Sequence, residues 1–183
     1  MQPTEELKTE HRAIERMLHI LEKVATLLEG DRTVRQEDLE QIITFIQVFA
    51  DRCHHAKEED LLFGAMQEAG IPRQGGPIEV MLMEHEQGRG YVAGMRQALS
   101  RYAAGEGAAA SDIAKNARGY VALLTQHIAK EDNILYPLAD RVLSPQQQKA
   151  LREGFEDIEE HVIGHGRHEA FHALLERLER DFM

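Results

Sequence analysis

Apolar residues recur along the chain at intervals of three and four positions, which is the spacing of an amphipathic helix. The first stretch shows this through Leu7, Ile14, Leu18 and Leu21. No stretch shows the strict alternation of a half-buried strand, so the predicted fold class is all-α. The spacing predicts five helical segments, at about residues 5–29, 33–70, 78–104, 111–142 and 144–183.

Polar residues mark where several of these helices should begin. Thr33 and Gln36 stand three residues apart and resemble a capping box at the start of the second helix. Ser111 is a candidate N-cap for the fourth helix. Ser144 followed by Pro145 predicts the start of the fifth segment, with serine as the cap and proline at the first helical position.

Four long helices joined by short connections favour an up-down-up-down four-helix bundle, which we expect to span residues 1–143. Residues 144–183 should form an additional C-terminal helical segment packed on that bundle. Gly164 and Gly166 are the positions at which this segment is expected to break. The extension is also a possible homodimer contact.

Composition and charge exclude several classes of protein. The formal net charge of −11 over 183 residues leaves no basic stripe to neutralise phosphates, which argues against a nucleic-acid partner. Cys53 is the only cysteine, so an internal disulfide is impossible. The first residues lack the features of a signal peptide, and no apolar run is long enough to span a bilayer. We therefore expect a soluble, cytoplasmic protein with no membrane partner.

The chain also contains an internal repeat that is rich in histidine and glutamate. The segment 54–63 (HHAKEEDLLF) recurs with small changes as segment 127–136 (HIAKEDNILY), so His54 and Glu58 correspond to His127 and Glu131. A Glu-His pair lies upstream of each copy, at residues 10–11 and 84–85. The chain therefore reads as two helical hairpins, each with one histidine and then one His-x-x-x-Glu.

This pattern predicts a metal centre inside the helices. Residues four apart on a helix share a face, with Cβ atoms about 5–6 Å apart. A lone inward histidine is commonly hydrogen-bonded, and a lone His-x-x-x-Glu is commonly a surface pair, but the repetition favours ligation. Buried polar groups are costly unless something satisfies them, and two metal ions would do so. The candidate ligands lie within apolar stripes and are His11, His54, Glu58, His85, His127 and Glu131.

Together with the residues that follow each motif, 57–63 and 130–137, this pattern resembles the hemerythrin-like, or HHE cation-binding, family over about residues 4–143. The resemblance implies a non-haem di-iron centre of two iron ions, with Glu58 and Glu131 as bridges and the four histidines as terminal ligands. It implies binding or sensing of a small diatomic ligand, oxygen or nitric oxide. The alternatives are a di-iron redox enzyme acting on peroxide, oxygen or nitric oxide, and an iron-handling protein, so whether the chain is an enzyme stays open.

The chain departs from the oxygen-carrying members that it resembles at one position of the third helix. Those proteins have a fifth histidine where this chain has Arg89, whereas Asp132 fits their fourth-helix carboxylate. The difference predicts open coordination positions. Arg89 is a candidate partner of a carboxylate such as Glu15, which is itself a candidate substitute ligand. Gly88 and Gly90 either open a path for a small ligand or allow close helix packing.

Several further residues stay open as site candidates. His55 and Glu59 lie one residue off the repeated pair, and alignment with the second copy selects His54 and Glu58 over them. Cys53 is either a redox-active thiol or a small buried residue, and Tyr120 either hydrogen-bonds a metal-bound group or packs in the core. The tail histidines form either a second metal site or a solvated or interface face; they are His161, His165, His168 and His172.

Overall fold

The computed structural model describes residues 1–183, which form helices joined by short connections, without any strand. The prediction of an all-α fold is confirmed. The α-helices are α1 (Pro3–Glu29), α2 (Gln36–Phe45), α3 (Phe63–Glu68), α4 (Pro77–Ala103), α5 (Ala109–Lys130), α6 (Tyr136–Val142), α7 (Pro145–Ile158) and α8 (Arg167–Phe182). The π-helical segments are π1 (Ile46–His55), π2 (Lys57–Leu62), π3 (Glu131–Leu135) and π4 (Glu159–Ile163).

Both copies of the repeat include π-helical turns within two long helical rods, although His127 itself lies in the last turn of α5. The first rod, residues 36–68, runs from α2 through π1 and π2 into α3. The second rod, residues 109–142, runs from α5 through π3 into α6. A π-helical turn holds more residues than an α-helical turn, and such turns occur frequently at functional sites. Both rods therefore change their helical geometry where the histidine and glutamate motifs stand.

The structure confirms one of the three predicted start signals. Ser144 caps α7 in a capping box, because its hydroxyl accepts from the Gln147 amide and the Gln147 side chain accepts from the Ser144 amide. The capping box at Thr33 is wrong, since α2 begins after Arg35 without a side-chain cap. The N-cap at Ser111 is also wrong, because α5 already begins at Ala109, in the run of alanines before that serine.

Two clusters of buried apolar residues form the core. The larger one includes Ile14, Cys53 and Ile128, and the smaller one includes Leu7 and Leu135. In α1 and in both rods, the histidines and glutamates of the repeat stand in sequence between residues of one cluster and residues of the other. The candidate metal ligands thus form a polar layer between two apolar regions.

The C-terminal segment packs onto both apolar clusters. Phe155 of α7 belongs to the smaller cluster, while Phe171 and Leu175 of α8 belong to the larger one. Between these helices, Gly164 has a φ of 89° and Gly166 a φ of 79°, values that favour glycine, so the predicted break is confirmed. The domain boundary at residue 143 stays a prediction. None of the helices combines the length and apolar character that crossing a bilayer requires.

Candidate metal centre

The six side chains predicted from the repeat lie together in the buried layer. Together with His55, they form two groups of potential ligands, and within each group the ligand atoms are all within 4.8 Å of one another. Every member of both groups is buried. The first group is His11, His54, Glu58 and Glu131, and the second is His55, Glu58, His85 and His127.

The two glutamates contact imidazoles of both groups. Glu131 places Oε2 at 3.1 Å from Nε2 of His11 and Oε1 at 3.0 Å from Nε2 of His127. Glu58 places Oε2 at 3.3 Å from Nε2 of His85 and at 3.8 Å from Nε2 of His54. Each carboxylate therefore lies between the two groups, which is the position that a bridging carboxylate requires.

A carboxylate on the outer side of the cluster accepts a hydrogen bond from Nδ1 of each inward histidine. Because Nδ1 donates, Nε2 of a neutral ring is left as an acceptor that points to the centre. Such a partner is a regular feature of metal-binding histidines, since it fixes the tautomer and the orientation of the ring. The pairs are His11 with Asp132 (2.7 Å), His54 with Glu10 (2.8 Å), His85 with Glu59 (2.6 Å), His127 with Glu84 (2.8 Å) and His55 with Asp51 (3.2 Å).

Each of these outer carboxylates also forms an ion pair with a lysine or an arginine. The four that belong to the repeated motifs are held by lysine or arginine, and Asp51 shares its arginine with one of them. The pairs are Lys57 with Glu10, Lys130 with Glu84, Arg12 with Asp132, and Arg89 with both Glu59 and Asp51. The repeat therefore encodes the candidate ligands and also the residues that orient them.

Sequence reasoning missed these outer partners, although the repeat contained their signal. Glu10 and Glu84 each precede a histidine of the cluster, and Lys57 and Lys130 occupy the same position in the two motifs. When a residue recurs at the same position of both copies but is not a candidate ligand, it is a candidate for orienting the ligand next to it. The sequence gives no distances, so which carboxylate meets which ring becomes visible only in the structure.

The cluster fits metal cations because it contains too many acceptors. Nε2 of His54, Oε2 of Glu58 and both oxygens of Glu131 are buried without a hydrogen-bond partner. Nε2 of His85 lies 3.1 Å from Nε2 of His127, and the Nδ1 of each ring is engaged with a carboxylate. Buried lone pairs that face one another are costly, and cations placed between them would remove the cost.

The electrostatics of the metal-free cluster favour protons at the same atoms. Burial lowers the pKa of His11, but the hydrogen bond to Asp132 and the nearby charges of Glu131 and Glu58 raise it more, to about 9. Burial also lowers the pKa of His85, whereas Glu131 and Glu58 raise it to about 11. Metal binding must displace such protons, so the affinity for metal should rise with pH.

Tyr136 is a hydroxyl donor inside the cluster. Its Oη donates to Oε1 of Glu58 at 2.7 Å and lies 3.2 Å from Nε2 of His11. Burial, together with the charges of Glu131 and Glu58, raises the pKa of Tyr136 well above its ordinary value, so the hydroxyl keeps its proton. The corresponding residue of the first copy is Phe63, which has no hydroxyl.

A cavity of about 130 Å³ reaches the second group from one side. Gly88 lines it, and a Cβ at that position would lie at an ordinary 3.6 Å from Tyr120 and Leu124. A Cβ at Gly90 would meet nothing within 4 Å. The cavity is lined by Ile46, Gln47, Asp51, His55, His85, Gly88, Arg89, Val92, Ala93 and Tyr120.

The structure corrects the expected partner of Arg89. Its guanidinium lies 2.9 Å from Oδ1 of Asp51 and 2.9 Å from Oε1 of Glu59, so it does not pair with Glu15. Glu15 is instead bound to Arg12 at 3.1 Å, outside both groups of ligand atoms. The two expectations about Glu15, as a partner of Arg89 and as a substitute ligand, are therefore wrong.

Cys53 and the tail histidines take no part in the two groups. Cys53 is fully buried, and burial raises the pKa of its thiol to about 12, which is the opposite of an activated cysteine. Glu10, Glu159 and His168 form a third cluster of potential ligands. There the ammonium of Lys57 already lies 2.5 Å from Glu10 and 2.7 Å from Glu159, so a positive charge is in place.

Comparisons with known proteins agree with this geometry. The family model of the hemerythrin HHE cation binding domain matches residues 2–139. An uncharacterized protein of Mycobacterium bovis is 27% identical over 160 residues, as is an uncharacterized protein in each of two strains of Mycobacterium tuberculosis. Each match covers 87% of this chain and 62% of the relative, so this chain spans less than two thirds of the relatives' length. No solved structure matches significantly.

Proposed function

Since the chain belongs to the hemerythrin HHE cation-binding family, we propose that its buried cluster holds two iron ions and binds or senses oxygen or nitric oxide. The observation that carries the proposal is the excess of buried acceptors, each histidine among them being oriented by a carboxylate. The two groups of ligand atoms give one position for each ion. The proposed ligands from the repeat are His11, His54, Glu58, His85, His127 and Glu131.

The protein's own side chains would position the ions and exclude bulk water. Glu58 and Glu131 lie between the two groups and are the proposed bridges. The outer carboxylates fix the rings, so that Nε2 of His54 and His127 faces the centre. Iron in this site would supply reversible binding, or reduction, of a small oxygen-containing ligand.

The cavity that leads to the cluster is of a size that suits a small ligand. The cavity of about 130 Å³ lies beside His85, and Arg89 is held at its rim by Asp51 and Glu59. A guanidinium cation has no lone pair to offer a metal ion, so Arg89 does not fill the coordination position that a histidine would take. A coordination position is therefore proposed to stay available for oxygen, nitric oxide or peroxide.

The alternative function is a di-iron redox enzyme, and one observation favours it. Tyr136 places a protonated hydroxyl next to Glu58 and His11, inside the cluster. Reduction of peroxide or oxygen consumes protons, and this hydroxyl is a proton-bearing group in contact with two of the proposed ligands. A ligand-binding or sensing protein has no need of turnover, so repeated consumption of ligand distinguishes the two functions.

The proposal also includes the finer architecture expected from the sequence. Contacts of α1 with α5, of α4 with α5 and of α2 with α4 support an up-down-up-down arrangement of four long helices within residues 1–143. Residues 144–183 would be an extension, and a homodimer contact through it stays part of the proposal. Cytoplasmic location likewise stays a proposal.

Metal analysis of protein purified without oxygen tests the function. We expect two irons per chain and a visible absorption band of an oxygen-bridged ferric pair when oxygen is admitted. Reversal of the band on removal of oxygen supports carriage or sensing, and its persistence with consumption of added peroxide supports the enzyme. Protein that binds no iron under reducing, iron-replete conditions would contradict both functions.

A further inference from the structure

His55 stands outside the twofold pattern of the repeat. The other cluster residues come in matched pairs, but the residue that corresponds to His55 in the second copy is Ile128. Ile128 is buried in the larger apolar cluster, as expected of a residue at this position in a helix. A histidine in the same place of the first copy needs a separate explanation.

The structure places the His55 ring inside the cluster. Its exposed fraction is 4%, and it stacks on His85 with ring centroids 3.9 Å apart and planes inclined by 18°. A potential ligand atom of His55 lies within 4.8 Å of those of Glu58, His85 and His127. The ring of His54 lies beside it, with ring centroids 5.7 Å apart, and both histidines have a potential ligand atom close to one of Glu58.

The surroundings of His55 repeat those of the other four inward histidines. Its Nδ1 lies 3.2 Å from Oδ1 of Asp51, and Asp51 is held by Arg89 at 2.9 Å. This carboxylate fixes the ring so that Nε2 is left for the cluster.

From this geometry we infer that His55 is a seventh metal ligand, confined to one half of the centre. The inference rests on the proposed di-iron function. The position formed with His85 and His127 then has three imidazoles, whereas the position formed with His11 and His54 has two. The two ions are bound unequally, and the three-imidazole half retains its ion longer.

Replacing His55 by the residue that the other copy uses gives a direct test. His55→Ile and the wild type are loaded with ferrous iron without oxygen, and iron content and its release to an excess of chelator are measured. Wild type should release two irons per chain at different rates. His55→Ile should release the slower iron at least about 10-fold faster, or lose it before loading is complete, while the faster phase is unchanged.

Further variants separate ligation from packing. Asp51→Asn keeps the imidazole but removes the negative charge that orients it, so it should accelerate the same phase to a smaller extent. His161→Ala removes an exposed histidine of the tail and should behave as wild type. If circular dichroism shows that His55→Ile does not fold, His55→Gln takes its place in the same assay.

The outcomes distinguish this inference from the proposed function. Wild type that binds no iron, or one, defeats the di-iron function itself. Wild type with two irons, and His55 variants that also bind two and release them at wild-type rates, would overturn only the role of His55. Loss or faster release of one iron in the variants supports both.

Discussion

The buried lysine of the first motif should stabilise the protein far more than its counterpart in the second. Lys57 has a fully buried side chain, and its Nζ lies 2.8 Å from Glu6, 2.5 Å from Glu10 and 2.7 Å from Glu159. Glu10 is itself 3% exposed. The change Lys57→Met would keep most of the side-chain volume and leave the Glu10 carboxylate buried without its cation.

The expected cost follows from that loss of charge compensation. Removing one partner of a buried ion pair costs about 3–5 kcal/mol. For a domain of this size each kcal/mol corresponds to about 2–4 °C, so Tm should fall by about 6–20 °C. Burial by itself raises the pKa of Glu10, but His54 and Lys57 outweigh it and lower that pKa. A carboxyl whose pKa is lower in the folded protein stabilises the fold above its unfolded-state pKa. The decrease in Tm caused by Lys57→Met should therefore become smaller as the pH falls below about 4.5.

Lys130→Met is the matched control, because Lys130 holds Glu84 in the second copy as Lys57 holds Glu10 in the first. The Lys130 side chain is 37% exposed, so its removal should cost less than about 1 kcal/mol. Thermal unfolding of both metal-free variants, followed by circular dichroism, makes the comparison. Equal and small shifts for the two variants would refute the reasoning that burial of Lys57 makes its ion pairs important.

Three further predictions concern the centre itself. Glu58→Ala and Glu131→Ala should each lower the metal content by at least one ion per chain, because each carboxylate lies between both positions; elemental analysis with unchanged stoichiometry in both would contradict this. In metal-free protein the pKa of His11 is raised to about 9 and that of His85 to about 11, so their contribution to the free energy of unfolding is complete below about pH 6.5 and disappears as the pH rises through those values. Urea titrations from pH 6 to 10 should therefore show falling stability, and a flat profile would argue against protonated rings. Cys53, with its pKa raised to about 12, should resist alkylation at pH 8 in folded protein and react after unfolding, and rapid labelling of the native protein would count against its burial.

The helical fold could be predicted largely from periodicity. The stripe of apolar residues located the helices, and Ser144 with Pro145 located the start of α7, because these signals depend on neighbouring residues only. The starts of α2 and α5 were misplaced for the same reason. A polar residue that can cap a helix is not used when the helix begins beyond it or when preceding alanines already continue it.

The candidate site could be predicted only for residues that occur at matched positions in both copies of the repeat. Matched positions identified six residues that the structure places together, since symmetry in the sequence reflects symmetry in the layer. Alignment of the two copies does not select His55, because Ile128 occupies the matched position, and only the distances in the structure place its ring in the cluster. The partner of Arg89 was missed because it depends on the distance between α4 and π1, which no local pattern records.

Anomalous diffraction from crystals of the iron-loaded protein tests the central claim most directly. The account predicts two peaks in the buried layer, both in contact with Glu58 and Glu131, one beside His11 and His54 and the other beside His85 and His127. A single peak, or a peak among Glu10, Glu159 and His168 instead, would contradict the assignment of a two-metal centre to the repeat.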